Sequence, residues 1–286
     1  MKGIFVPLMT PFINDELKID FIPDMVNHHI SQGVHGFYIG GSSAECFMMS
    51  IEERCQVLKA ISIANAGRVK IIAHVGAISL RDALQLTAAA NAYSYDAISA
   101  TPPFYYGFNK TEIQAYYQSI AQASAAPLLL YNIPGTTGIN LTLDDMKALS
   151  TIPNVIGLKH TTQDMFIIER LHSYNPDLFI FHGEDTMLLN GLQMGASGGI
   201  GSTYNLMSKQ YVELYQAYEN DDLAAAMSIQ HTVNAITEVL LSCGLYQSIK
   251  FAMNEQGVNY GECRRPFSPL SDEKKAQLLA VLEQLK

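Results

Sequence analysis

Residues 154–162 read NVIGLKHTT, and the amine in that run is where chemistry would begin. Val155, Ile156 and Leu158 suit a strand buried on both faces, yet they lead to Lys159, a residue type seldom buried. A lysine deprived of water loses its preference for the charged form; its pKa falls, and the free amine becomes a nucleophile for a carbonyl carbon. That is Schiff-base chemistry. The alternative is a lysine whose stem lies along apolar surface while its head reaches solvent.

Two further groups would serve such a lysine. Tyr131, in YNIPG, offers a phenol able to pass a proton in and out, although a tyrosine at a strand end also packs well without any chemistry. In GGSSAE, residues 40–45, two glycines permit a tight turn, and Ser42 and Ser43 present hydroxyls and backbone N–H groups just before a helix. Such a group suits a carboxylate, and an ordinary glycine turn with serine caps would read the same way.

These residues need elements to hold them. Short apolar runs recur as GIFVPL from 3, GFYIG from 36, KIIAHV from 70, DAISA from 96, PLLLYN from 127, NVIGLK from 154, LFIFHG from 178 and GGIGS from 198. Between them lie helix-spaced stretches, with entry signals at Ser50, where Glu53 completes a capping box, at Ser79 and at Thr111. Eight such units predict an α/β fold, a closed (β/α)₈ barrel over residues 1–220. Residues 221–286, with DDLAAAMSIQHTVNAITEVLL and SDEKKAQLLAVLEQL, read as a helical extension packed on it, because no linker separates the two. Lys159 then ends the sixth strand, at the barrel face where active sites sit.

Composition narrows the function classes. Hydrophobic residues make up 48% of the 286, and charged residues 16%, which excludes a disordered chain. With 18 Lys plus Arg against 27 Asp plus Glu the net charge is −9, and no basic cluster is present, so nucleic acid is not an expected partner. No segment has the roughly 20 apolar residues that span a bilayer, and the start lacks signal-peptide features. Cys46, Cys55, Cys243 and Cys263 show neither a CxxC pair nor disulfide spacing, which suits a reduced, cytoplasmic protein.

The eight histidines include no HxxxH or HxxEH spacing, and Asp144/Asp145 and Asp221/Asp222 look like helix starts, so no metal is expected. The glycine-rich GASGGIGS at 195–202 suits a phosphate cradle or a crowded barrel interior. The absence of GxGxxG and GxxxxGK favours an unphosphorylated ligand.

In order, GGSSAE, AHVG, TPPFYY, YNIPGTTG, GLKHTT and GASGGIGSTYN resemble the N-acetylneuraminate lyases of the dihydrodipicolinate synthase superfamily. The resemblance implies that Lys159 forms the Schiff base with pyruvate, Tyr131 transfers the proton, and Ser42 and Ser43 hold the 2-oxo carboxylate. It implies that Thr161, Gly183, Asp185, Thr186, Gly201 and Ser202 line the pocket for the sugar chain. It gives Tyr105 a place in a neighbouring subunit's site, hence an oligomer, commonly a tetramer. No cofactor is implied beyond the covalent imine, and the partners are a sialic acid, N-acetylmannosamine and pyruvate.

Three positions depart from the pattern. Ala44 stands where glycine is usual, in a turn that also carries serine second instead of threonine, and Thr186 replaces the acid that sialate lyases carry after Asp185. Thr186 leaves aldolases of other 2-keto-3-deoxy sugar acids as an alternative. Thr136, where dihydrodipicolinate synthases place arginine, counts against those enzymes. A non-catalytic sugar-acid-binding barrel would be expected to lack Lys159 or Tyr131, and both are present.

Overall fold

The computed structural model describes residues 1–283. Eight parallel strands close into a barrel: β1 Gly3–Leu8, β2 Gly36–Ile39, β3 Lys70–His74, β4 Ala97–Ala100, β5 Leu128–Asn132, β6 Val155–His160, β7 Phe179–His182 and β8 Gly198–Gly199. All eight predicted strands are present in the predicted order. β6 runs one residue further than its sequence suggests, so Lys159 is its penultimate residue.

Side chains alternate between two cores, as the period of a strand requires. One set, including Phe5, Tyr38, Ile72, Leu129, Tyr131 and Phe181, fills the barrel interior, with the Phe5 and Phe181 rings edge to face at 5.1 Å. The other set packs outward against the helices.

Those helices are α1 Ile22–Ser31, α2 Ile51–Asn65, α3 Leu80–Ala92, α4 Lys110–Ala123, α5 Leu143–Ser150, α6 Met165–Tyr174, α7 Leu188–Gln193 and α8 Tyr204–Glu219. The capping box predicted for α2 forms: Ser50 Oγ accepts from Glu53 N at 3.1 Å, and Glu53 Oε2 accepts from Ser50 N at 2.8 Å. Ser79 caps α3 in the same position. α4 differs, because Asn109 rather than Thr111 is its cap. Asn109 and Glu112 make the reciprocal pair of bonds, so the helix starts two residues earlier.

Three more helices follow: α9 Leu223–Cys243, α10 Leu245–Glu255 and α11 Asp272–Leu282. The last three residues of the segment predicted as a helical extension lie outside the described residues. α9 packs on α8, α10, α11 and the turn at Asp185–Met187, which brings it over the barrel's C-terminal face. Gly244, at φ +111°, lets the chain reverse between α9 and α10 in a conformation that side chains disfavour.

α10 is fastened to the barrel by a buried charge. Lys250 Nζ donates to Glu45 Oε1 at 2.6 Å and to the carbonyls of Thr10 and Glu262 at 2.6 and 2.7 Å, while Arg264 N donates to Glu45 Oε2 at 2.7 Å. Both charged side chains are almost fully buried. Glu45 is itself left-handed, at φ +58°.

Candidate active site

Tyr131 and Lys159 are register partners on β5 and β6, both pointing into the barrel. Lys159 Nζ donates to Tyr131 Oη at 3.1 Å. The Tyr38 and Tyr131 rings flank the amine, with centroids 4.7 and 4.3 Å away. Aromatic faces favour the ammonium and burial disfavours it. Burial wins: it lowers the Lys159 pKa from 10.5 to about 7, against the opposing pull of the Asp185 carboxylate. The side chain therefore holds far more free amine at neutral pH than an ordinary lysine, of which only roughly one in 3,000 is uncharged.

Burial acts oppositely on the phenol, pushing Tyr131 up to about 12, with the Ser42 and Thr161 hydroxyls weighing against that rise. Thr161 Oγ1 is nevertheless buried without a geometric hydrogen-bond partner among the described residues. A Cβ on Gly183 would stand 1.9 Å from that hydroxyl and 3.2 Å from Lys159 Cε. Only a glycine there leaves both side chains in place.

Ser42 and Ser43, expected just before a helix, lie on a single 3-10 turn of their own, Ser42–Ala44. The left-handed Glu45 and a second turn, Cys46–Met48, separate them from that helix. Ser43 is held by the loop after β8, where its Oγ lies 2.7 Å from Ser202 Oγ. Ala44 is buried, and its N–H donates to Gly41 O at 3.0 Å, closing the turn.

Asp185 is buried and accepts through Oδ2 from Thr203 N and Thr203 Oγ1, each at 2.7 Å. Burial raises its pKa to about 6; the Thr203 bonds and the nearby Lys159 oppose the rise. Gly201 lies behind this carboxylate, where a Cβ would come within 1.8 Å of Oδ1.

These groups surround a cavity of about 230 Å³. Of the residues expected there, Ser42, Ser43, Tyr131, Lys159, Thr161, Gly183, Asp185, Thr186 and Ser202 all line it; Gly201 acts only through the space it leaves. Tyr105 does not line it, standing 81% exposed at φ +80°. The sequence reading missed Glu184 and Thr203, and also Thr237, Leu241, Leu245 and Tyr246, which α9 and α10 bring to the wall. No motif marks the helical residues, because they reach the site only through the packing of α9 and α10.

Among the described residues no group of three or more His, Cys, Asp or Glu side chains is arranged to hold a metal, and no helix is long and apolar enough to cross a membrane. The four cysteines are unpaired.

The family model of the dihydrodipicolinate synthetase family matches residues 1–285. The chain belongs to that family. It is 38% identical over 288 residues to the N-acetylneuraminate lyase of Citrobacter koseri, covering 100% of this chain and 97% of the relative. The crystallised N-acetylneuraminate lyase of Mycoplasma synoviae is 38% identical, with a TM-score of 0.93 over 100% of this chain and 98% of that one. A Clostridium difficile protein crystallised with mannosamine superposes with a TM-score of 0.97 at 34% identity, covering 99% of both chains.

Proposed function

We propose that this family member is a class I aldolase that cleaves N-acetylneuraminate reversibly to N-acetylmannosamine and pyruvate. The observation that carries the reading is the buried Lys159 amine, 3.1 Å from a phenol, on a cavity whose wall includes several hydroxyls and two carboxylates. Lyases of this name, 38% identical over the full chain, support the substrate.

Neutral Lys159 adds to the C2 ketone of the open-chain acid; the Tyr131 phenol gives its proton to the departing hydroxyl, which leaves as water, and an iminium and a Tyr131 phenolate remain. Ser42 and Ser43 hold the C1 carboxylate. The C3–C4 bond breaks, its electron pair moves into the iminium to form an enamine, and the C4 hydroxyl proton passes to the Tyr131 phenolate. With burial holding its pKa at about 12, the Tyr131 phenolate is scarce at neutral pH before the imine forms. The iminium creates a fixed positive charge beside it, which lowers that pKa when the base is needed. N-acetylmannosamine leaves, the enamine is protonated at C3, and water releases pyruvate. The imine serves as the electron sink, so the reaction as proposed calls for no cofactor.

Tyr105, exposed in a left-handed conformation that a tyrosine seldom adopts, supports a contact with a second copy of the chain. We read the working form as a cytoplasmic homotetramer, and residues 221–286 as an extension belonging to the same structural unit as the barrel.

Thr186 favours one second reading, an aldolase for a shorter 2-keto-3-deoxy sugar acid. A panel of 2-oxo sugar acids scored for pyruvate release decides between them. N-acetylneuraminate should give the highest kcat/KM; a tenfold preference for 2-keto-3-deoxygluconate would overturn the sialate assignment.

A further inference from the structure

The cavity holds two adjacent carboxylates in different states. Asp185 is committed through Oδ2 to Thr203. Glu184 is half-buried on the cavity wall, and its Oε1 accepts the Thr186 hydroxyl at 2.9 Å. No other hydrogen bond or ion pair to its carboxylate occurs among the described residues.

The backbone beneath it is held in place. Gln230 Nε2 on α9 donates to Asp185 O at 3.1 Å, Asn234 Nδ2 donates to Thr186 O at 3.0 Å, and Gln230 Oε1 accepts from Leu189 N at 3.0 Å. Succeeding turns of α9 put Thr237 and Leu241 on the same cavity wall. The sequence assigns Thr186 to the sugar, whereas the structure pairs its hydroxyl with Glu184.

An ionised carboxylate is acceptor-only and offers about four lone-pair sites. Thr186 uses one and fixes the direction of the rest. The remaining sites match two neighbouring hydroxyl donors, and a cavity in which one acid is committed and the other is aimed can bind a vicinal diol.

We propose that Glu184, aimed by Thr186, is the specificity-determining residue for the polyol end of the substrate, accepting hydrogen bonds from a vicinal diol remote from the 2-oxo acid. The proposal rests on the aldolase reading above and adds to it the group that senses chain length.

The test compares kcat/KM for N-acetylneuraminate and for the shorter 2-keto-3-deoxygluconate in the wild type, Glu184→Gln and Thr186→Val. Borohydride trapping of pyruvate on Lys159 is measured alongside. In Glu184→Gln the preference for the longer acid should fall about 10- to 100-fold, mainly through KM, because an amide accepts at one atom where the carboxylate accepts at two. In Thr186→Val it should fall about 3- to 10-fold, because the carboxylate stays but is no longer aimed. Pyruvate trapping should persist in both variants. An unchanged preference in Glu184→Gln overturns the proposal, and so does loss of trapping, which would make Glu184 structural. If the wild type releases pyruvate from neither acid, the aldolase reading itself fails and this inference falls with it.

Discussion

The Lys159 amine and the Tyr131 phenol meet because their Cα atoms are register partners on adjacent parallel strands, so the 3.1 Å contact is set by the barrel itself. Strand pairing is among the stiffest placements a fold offers, and a nucleophile and its proton carrier held this way need little reorganisation before reaction.

This arrangement allows the two roles to be separated. Tyr131→Phe keeps the ring beside Tyr38 and Lys159 and removes only the hydroxyl. Borohydride should still trap pyruvate on Lys159, while aldol cleavage drops about 10²-fold or more, the usual loss for a general acid/base. Equal cleavage rates in the two proteins would reduce Tyr131 to a packing residue.

The pH dependence follows from the Lys159 pKa of about 7. Imine formation needs the free amine, so the rate of pyruvate trapping should rise through pH 7 and level off above it. Stability has a related sign. The folded pKa is below the unfolded one, so the unfolded chain binds more protons between about pH 7 and 10.5, and stability rises with pH across that window by at most about 1.4 kcal/mol per pH unit. Below pH 7 the full penalty of burying the amine is present. Lys159→Met should flatten this slope in urea titrations; an unchanged slope would mean that Lys159 does not titrate there.

The strands and Lys159 are legible in the sequence for one reason. Runs such as Leu128–Leu130 and Val155–Leu158 are apolar at nearly every position because both faces of a barrel strand are covered, and a lysine stands out against them. The start of α4 is less legible, since Asn109 with Glu112 and Thr111 with Gln114 both fit a capping pattern, and only the first pair forms. Glu184 could not be read at all. GEDT offers two acids, and which of them is committed depends on Thr203, while Gln230 and Asn234 of α9 hold the backbone beneath them; all three are distant in sequence.

The buried Lys250–Glu45 pair makes a prediction about stability. Lys250→Met leaves the Glu45 carboxylate buried without its counter-charge, which should lower unfolding free energy by about 3–5 kcal/mol. Adding Glu45→Gln removes the stranded charge as well, so the double variant should regain about 1 kcal/mol or more in urea unfolding at pH 7. A double variant no more stable than Lys250→Met would show that the lysine's bonds to the Thr10 and Glu262 carbonyls, not the ion pair, hold α10 in place.

Gly201 offers a test of how the Asp185 carboxylate is seated. An added methyl would lie 1.8 Å from Asp185 Oδ1 and 2.4 Å from its Cγ, distances no real contact shows, and 2.8 Å from Tyr204 Cε1. The shortest contact must yield first, so in Gly201→Ala the carboxylate should leave its bonds to Thr203. Two consequences can be measured. Asp185 is the group that holds the Lys159 pKa up against burial, so its departure should move the midpoint of pyruvate trapping to lower pH. Cleavage of the sugar acid should also fall about 10²-fold, because a wall group of the cavity is displaced. In an Asp185→Ala background the same methyl has no carboxylate to strike, and its additional effect on cleavage should shrink about tenfold, the non-additivity expected of residues in contact. If Gly201→Ala is equally damaging in both backgrounds, the collision that matters is with Tyr204, and Gly201 serves the packing of α8 rather than the seat of Asp185.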